Sequence, residues 1–539
     1  MIPTCDRFIW GITWNHGSHA VSIGRKSTEP REEKERSRVA GLDREIIRLV
    51  QITGHRADEI KRTKQTGGPE WERLQGMVSW HERMLRMGET HSRQKAIQDP
   101  VHGAIILSPW ELDVISTWEM LRLRYVKQLG PAHIVYPGAT HTRFEHCLGT
   151  NFLAQKCIAV VNYCDELEKP CFRPLSELMD DYHQKIFRAS ALLHDVGHPP
   201  TSHTIEFALR SWCGLDHTDL GEYLILHSGV KDALEKNSIE PTKVVEVIKR
   251  RSRDPILMLI SDFIDSPLDI DKTDYLIRDA HFSGVQLGIF PAERVLLTNR
   301  VVKDESGRWV RAFMIKAIHS LESLVLSRNW MFSDLYIHHA VRVAEALTSK
   351  ATYFRLKEEK MSKEECVGFF TRMTDGDLYR WLEASETDFV REYAARIRYR
   401  RLYKVVLSKP ISSFEADAQK RIAGIQENAE TLVETERELM GDYSSVIIDV
   451  VDPELGDRTL GRMPMLVGTE GTGYRLVEFK DTLEGRPVIM TLKQQKKIIP
   501  TVRVYADPGI AEDVQRRFDR MFPSTNPGHF GIEDDHGEF

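Results

Sequence analysis

Residues 191–198 read Ala191-Leu192-Leu193-His194-Asp195-Val196-Gly197-His198. An apolar helical run ends on adjacent His194 and Asp195, and Gly197 then lets the chain turn, as glycine does after a helix. A borderline nitrogen ligand beside a hard carboxylate oxygen at a helix end can reach one divalent ion. A His-Asp pair alone is common by chance, so its weight comes from partners elsewhere in the chain.

The first partner is His146, in His141-Thr142-Arg143-Phe144-Glu145-His146-Cys147-Leu148-Gly149, near the start of an apolar-periodic helix. Arg143 precedes it by one turn, which sets a guanidinium on the imidazole's face, where it can clamp a phosphate held by the metal. A surface arginine beside a satisfied core histidine is the plainer alternative. The next stretch is Asp269-Ile270-Asp271-Lys272-Thr273-Asp274-Tyr275-Leu276-Ile277-Arg278-Asp279. Asp271, Tyr275 and Asp279 share one helical face, suiting a metal-bound phosphate at one end and a sugar hydroxyl at the other. The alternative is a solvated acidic helix, against which Tyr275, Leu276 and Ile277 speak. Two histidines and two carboxylates make a mixed N/O set that suits Mn, Fe, Zn or Mg without choosing among them. Such an ion acts as Lewis acid and water activator. Between the His-Asp pair and Asp271, His203, Glu206 and His217 offer proton-transfer groups. For His203 a purely supporting hydrogen bond is the alternative.

Working outward, the 539 residues suffice for a catalytic domain of a few hundred residues with flanking regions. With 41% hydrophobic and 29% charged residues and a net charge of -6, the composition is that of a soluble globular chain without the basic excess of a nucleic-acid binder. No apolar run is long enough to span a bilayer, and the N-terminal MIPTCDRFIWGITW lacks the order of a secretion signal, so a cytoplasmic location is expected. The seven cysteines, an odd number without a CxxC pair, are expected as reduced thiols, with Cys157 and Cys164 sharing a buried helical face.

The expected organisation is a helical, charged N-terminal extension over 1–94 and a helical core domain over 95–440, with helical periodicity from Phe144 to Val161 and from Leu321 to Leu347. A small α/β lobe follows over 441–506, built on SVIIDVV, YRLVEF, PVIMTL and TVRVYA, and a helix with an acidic tail over 507–539. The fold class is therefore mainly α, with a small C-terminal α/β lobe.

With these residues in view, the chain resembles the HD-domain deoxynucleoside triphosphate triphosphohydrolases, most closely the vertebrate type that carries a sterile-alpha-motif domain. The likeness rests on IQDPVHGAIILSP, RLRYVKQLGPAHIVYPGATHTRFEHCLG, ALLHDVGHPPTSH, DIDKTDYLIRDAHFSGV and SRNWMFSDLYIHHAVRVAEAL, spanning about 97–347. A weaker likeness runs through RYRRLYKVV and VRVYA. The N-terminal region does not resemble a sterile-alpha-motif domain.

The resemblance implies an HD phosphohydrolase domain in which His146, His194, Asp195 and Asp271 hold one metal beside the α-phosphate of a dNTP. It implies phosphate contacts from Arg143, Lys272 and Arg328, sugar 3′-hydroxyl contacts from Tyr275 and Asp279, crowding of the 2′ side by Gln128 and Leu129, and a base end lined by Tyr336. His203 matches the family histidine that assists attack or protonates the leaving oxygen. Glu206 stands where the family has a supporting Asp, and His217 matches a further active-site histidine, followed here by Thr218 where the family has Glu. The resemblance further implies a homotetramer, a dimer of dimers, with an activating nucleotide, and Mg with bound nucleotides, between subunits. The Asp and Gln that read guanine there align with Ser116 and Leu121, whereas Arg124, Arg400 and Lys404 stand where that pocket's basic residues stand. Phosphate binding without guanine selectivity is the expectation.

Two alternatives accompany this reading. One is another HD phosphohydrolase, a nucleotidase or phosphodiesterase. The other is a nucleic-acid-binding scaffold with an idle HD fold, for which the run Arg396 to Arg401 is the support.

Overall fold

The computed structural model describes residues 64–65, 71, 93–451, 460–469, 471–482, 485, 487–490 and 500–525. The expected N-terminal extension falls almost wholly outside these residues, and so does the acidic tail from 526 onward.

Strands Lys95–Asp99 (β1) and Gly103–Leu107 (β2) form an antiparallel hairpin. Its turn is held by the Asp99 carboxylate, which accepts the main-chain N–H groups of Val101 and His102. Helix Pro109–Ile115 (α1) starts on a Ser108/Glu111 capping box with proline in the first turn, and Trp118–Arg122 (α2) follows. The helix Arg143–Val160 (α3) opens on a second capping box, Thr142 with Glu145, so the sequence that carries Arg143 and His146 also fixes where the helix begins. Strands Asn162–Cys164 (β3) and Arg173–Pro174 (β4) come next, then Asp181–Leu193 (α4), whose N-cap Asp180 accepts the His183 N–H.

The first turn past the end of α4 is the His194-Asp195 pair. Ile186, Phe187, Leu192 and Leu193 of α4 are fully buried against Phe144, Cys147 and Leu148 of α3, and each such side chain contributes about 1.5–3 kcal/mol. That packing brings His146 and His194 to the same end of the helix pair. Helices Glu206–Cys213 (α5), His217–His227 (α6) and Ile270–Ser283 (α7) complete the site's frame. The α7 N-cap is Asp269, which accepts the Lys272 N–H at 2.6 Å. On α3, Gly149 is the contact point for α7: a Cβ there would lie 1.9 Å from Asp274 Oδ1 and 2.4 Å from Arg278 Nη2.

The periodicity between Leu321 and Leu347 belongs to two helices, Ile318–Met331 (α8) and His339–Glu359 (α9), joined by a wide π-type turn over Phe332–Tyr336. Helices Lys363–Phe370 (α10), Asp375–Glu383 (α11) and Ala429–Met440 (α12) pack around α9, and Ala511–Met521 (α13) ends the described chain's helices.

The remaining strands are Asn299–Lys303 (β5), Trp309–Met314 (β6), Lys404–Pro410 (β7), Val446–Val451 (β8), Pro464–Thr469 (β9), Gly473–Glu478 (β10) and Thr501–Ala506 (β11). They form a six-stranded sheet of order β10-β9-β6-β5-β3-β4 and a three-stranded sheet of order β7-β11-β8. Residues 441–506 thus supply strands to sheets whose other members precede residue 440. The fold is mainly α with small sheets, as expected. Two local readings differ. The stretch PVIMTL, expected as a strand, is helical over 487–490. Cys157 and Cys164 are both buried, but α3 ends at Val160 and Cys164 lies on β3, so they do not share a helix. Among the described residues no helix is long and apolar enough to cross a membrane.

Candidate metal centre and its cavity

The two histidines of the metal set are presented by different anchors. His146, in the first turn of α3 and without exposed surface, donates from Nδ1 to Asp274 Oδ2 at 2.7 Å. His194, capping α4, donates from Nδ1 to the Ala191 carbonyl at 2.9 Å. Each anchor selects the tautomer whose Nε2 carries a lone pair, and the two Nε2 atoms face each other at 3.2 Å. Asp271 Oδ1 lies 2.9 Å from His146 Nε2 and 3.5 Å from His194 Nε2. Asp195 approaches the same atoms, Oδ1 at 3.4 Å from His194 Nε2 and Oδ2 at 3.5 Å from His146 Nε2. His146, His194 and Asp271 form a group that could hold a metal ion, with the Asp195 carboxylate alongside, and this mixed N/O chemistry does not choose among Mn, Fe, Zn and Mg.

Burial works against charge on His146, but hydrogen bonds to Asp271 and Asp274 outweigh it and lift the imidazole to about 10, so a cation binding there would displace the Nε2 proton. Burial would raise Asp271 and Asp195. The two histidines hold Asp271 well below the usual carboxylate range, and His194 with Arg143 does the same for Asp195. These are strong cation-seeking carboxylates.

Sequence reasoning missed the layer behind the candidate ligands. Asp274, fully buried, accepts from His146, from His102 Nε2 at 2.6 Å, and from Arg278 Nε and Nη2 at 2.9 Å each; Arg278 in turn reaches Asp99 at 2.8 Å. The DPVHG stretch, quoted above only for its likeness, therefore serves His146 through Asp99 and His102. The signal was present as the Asp274/Arg278 spacing on the flank of α7 next to Asp271.

The proton-transfer candidates form a second group. Glu206 Oε2 accepts from His203 Nδ1 at 2.9 Å, and Oε1 accepts from His217 Nδ1 at 2.5 Å and from the His217 main-chain N–H at 3.1 Å. The glutamate's reach lets one carboxylate serve both rings. Burial opposes the charge on Glu206, yet both histidines hold it far below its usual value; in return Glu206 raises His217 against the effect of burial. His198, not expected from sequence, joins the two groups. Its Nε2 lies 3.2 Å from Asp195 Oδ1, and its ring stacks on that of His217 at 4.2 Å and 7°. Burial, with Arg143 nearby, lowers its basicity.

A single cavity of about 1000 Å³ is lined by Gln128, Leu129, Arg143, His194, Asp195, His203, His217, Asp271, Lys272, Tyr275, Asp279, Arg328 and Tyr336. Arg143 is drawn onto Asp195 Oδ2 at 2.5 Å and also reaches Ser202 Oγ and the Gln128 carbonyl. Lys272 folds back on Asp269 at 2.6 Å. Asp279 accepts from Tyr336 Oη at 2.6 Å and from His141 Nε2 at 2.8 Å, so its two oxygens are engaged. His146 and Glu206 stand behind the wall. Arg124, Arg400 and Lys404 do not line this cavity: Arg124 lies over the Phe144 ring at 3.8 Å, Arg400 donates to the Ile134 carbonyl at 3.0 Å, and Lys404 begins β7 with its side chain exposed.

Comparison with known proteins matches residues 143–279 to the HD domain and residues 310–528 to the HD associated region. An uncharacterised protein of Methanocaldococcus jannaschii is 32% identical over 58% of this chain and 60% of its own length. The human deoxynucleoside triphosphate triphosphohydrolase SAMHD1 is 27% identical over 58% of this chain and 55% of its own, and the bovine protein 26% over 71% and 70%. The chain thus spans 60% or less of the first two of these relatives. Among solved structures, a hypothetical protein from Aquifex aeolicus superposes with a TM-score of 0.57 at 26% identity, covering 79% of this chain and 100% of that one.

Proposed function

The chain carries an HD domain followed by an HD-associated region, and on that premise we propose that it hydrolyses deoxynucleoside triphosphates to deoxynucleoside and inorganic triphosphate. The observation that carries the reading is the convergence of His146, His194, Asp195 and Asp271, from three separate stretches, on a cavity that also gathers Arg143, Lys272 and Arg328. The likeness to SAMHD1 supports the substrate class.

The four ligands would hold one divalent ion, which supplies Lewis acidity toward a phosphoryl oxygen and acidifies water. Water adds to the α-phosphorus, and the bond to the sugar 5′-oxygen breaks. Arg143, Lys272 and Arg328 offset the charge on the triphosphate as its α-phosphorus is attacked, and the deoxynucleoside departs through its 5′-oxygen. His203, oriented through Nδ1 by Glu206, has Nε2 available to hand a proton to the 5′-oxygen, and His217, held by the same carboxylate, resupplies it. Gln128 and Leu129 crowd the sugar's 2′ side, Tyr275 and Asp279 meet its 3′-hydroxyl, and Tyr336 borders the base.

Product analysis with each of the four dNTPs, under Mn, Fe, Mg and Zn in turn, tests this. Inorganic triphosphate is expected; release of phosphate or pyrophosphate instead identifies a nucleotidase or phosphodiesterase. The scaffold reading is disfavoured because Arg396 is already paired with Asp507 and Glu392, and Arg398 with Glu383. Assembly as a dimer of dimers, with Arg124, Arg400 and Lys404 holding an activating nucleotide, extends the proposal. Titrating GTP, dGTP and dATP into a dTTP assay should find no exclusive requirement for guanine.

A further inference from the structure

Arg122, at the end of α2, is among the largest fully buried side chains of the molecule. Its three hydrogen bonds all go to main-chain carbonyls: Nη2 to Val196 at 3.1 Å and His198 at 2.9 Å, Nη1 to Met373 at 3.0 Å. Burial brings the guanidinium down to about 10, against the pull of Glu119 and Asp375, so it stays charged. Burying a cation on neutral acceptors is costly, and an apolar side chain of similar volume would serve a purely structural purpose at least as well.

The carbonyls it grips belong to the loop that follows the metal ligands. Val196 and His198 flank Gly197, where a Cβ would meet the Gly221 nitrogen and the His217 oxygen of α6 at 2.1 Å each. The loop is therefore pinned between α6 on one side and Arg122 on the other, with no room for a larger residue. A few residues on, Thr201 and Ser202 sit consecutively in the left-handed region, φ 59° and 57°. Such conformations persist only where the surroundings over-determine them. Asp375, at the start of α11, supplies that restraint by accepting the Thr201 N–H at 2.7 Å and the Lys127 N–H at 3.0 Å. Met373 and Asp375 both belong to the HD-associated region.

We propose that Arg122 is a positioning residue for hydrolysis: by tying the Val196 and His198 carbonyls to Met373, it fixes the His198 ring between Asp195 and His217 and so sets the metal ligands against the proton-transfer group. The assignment deepens the hydrolase reading and rests on it for its kinetic signature alone.

The test uses the full chain with Arg122→Lys and Arg122→Gln. Each is loaded with Co²⁺, and metal content, the visible Co²⁺ absorption band, thermal stability and steady-state dNTP kinetics are measured. The expected result is a folded variant with wild-type metal content, a shifted band, and kcat lowered by about a hundredfold, the cost of a misplacement of about 1 Å, with KM close to wild type. Arg122→Lys, which keeps the charge but not the fork, should lose less than Arg122→Gln. An unchanged band with unchanged kcat overturns the assignment. Variants that do not fold, or that lose metal and activity in step, overturn it as well and leave Arg122 a structural strut. If the wild type makes no triphosphate from any dNTP, the proposed activity falls, and the absorption band alone still decides the role of Arg122.

Discussion

His146 and Asp274, 128 residues apart in sequence and on different helices, meet through Nδ1 and Oδ2 at 2.7 Å, while the opposite nitrogen of the same ring lies 2.9 Å from Asp271. One imidazole thus links a carboxylate that orients it to a carboxylate that would share an ion with it. The two aspartates should respond differently to substitution. Asp271→Ala is expected to abolish metal retention and turnover together. Asp274→Asn should leave the ion in place but weaken its binding by about 10–100-fold. Elemental analysis after dialysis against graded chelator separates them; an Asp271→Ala protein that keeps both metal and activity sinks the ligand assignment.

Gly149 lets α3 and α7 close on each other. Because a Cβ would fall 1.9 Å from Asp274 Oδ1, Gly149→Ala should destabilise the chain by about 1–3 kcal/mol, as overpacked cores do. It should also displace the Asp274 carboxylate from His146. Urea unfolding and metal titration report the two effects, and a stable variant with native metal affinity would contradict this packing.

Lys350 on α9 and Glu436 on α12 form a buried ion pair, their side chains 3% and 0% exposed, and Glu436 also accepts the Ile448 N–H of β8 at 2.8 Å. Removing one partner strands the other charge. Lys350→Met is expected to cost about 3–5 kcal/mol, read as a lower denaturation midpoint with an unchanged slope. A loss below about 1 kcal/mol would mean that the pair is hydrated.

Glu345 gives a stability change with a definite sign. Burial, reinforced by Asp449 and opposed by Arg342, raises its carboxyl from 4.5 to about 7. The folded chain then holds a proton that the unfolded chain has released. The stabilisation is complete below the unfolded value and is lost as pH rises through the folded one. Between about pH 5 and pH 8 the Tm of the wild type should fall relative to that of Glu345→Gln. A difference that grows in the opposite direction refutes the raised value.

The parts of the site legible in the sequence were those whose chemistry is local. The His194-Asp195 pair, the Arg143/His146 spacing at the start of an apolar-periodic helix, and the spacing of Asp271, Tyr275 and Asp279 each declare themselves within a few residues. What escaped needs contact between stretches: Asp274 reads as one more acid on α7 until His102 and His146 are seen beside it, and His198 reads as loop until its ring is found against His217. Among the strands, β3 and β4 are two or three residues long, too short for a period-two pattern to register. Residues 487–490, Pro-Val-Ile-Met, have strand-like side chains, yet proline suits the first turn of a helix, and helix is what forms there. The wide turn at Phe332–Tyr336 is invisible to periodicity because apolar residues continue across it, although it is what carries Tyr336 to the cavity.

The six-stranded sheet also sets a timetable for biosynthesis. Strand β6 is finished at Met314, but its parallel neighbour β9 starts only at Pro464. At ribosomal speeds the nascent polypeptide carries an unpaired edge for about ten seconds or more before its complement emerges. A fragment ending before β9 keeps that edge permanently and should self-associate through it. Expression trials that cut the gene between Tyr336 and Pro464 are therefore expected to yield inclusion bodies, however complete the candidate site residues.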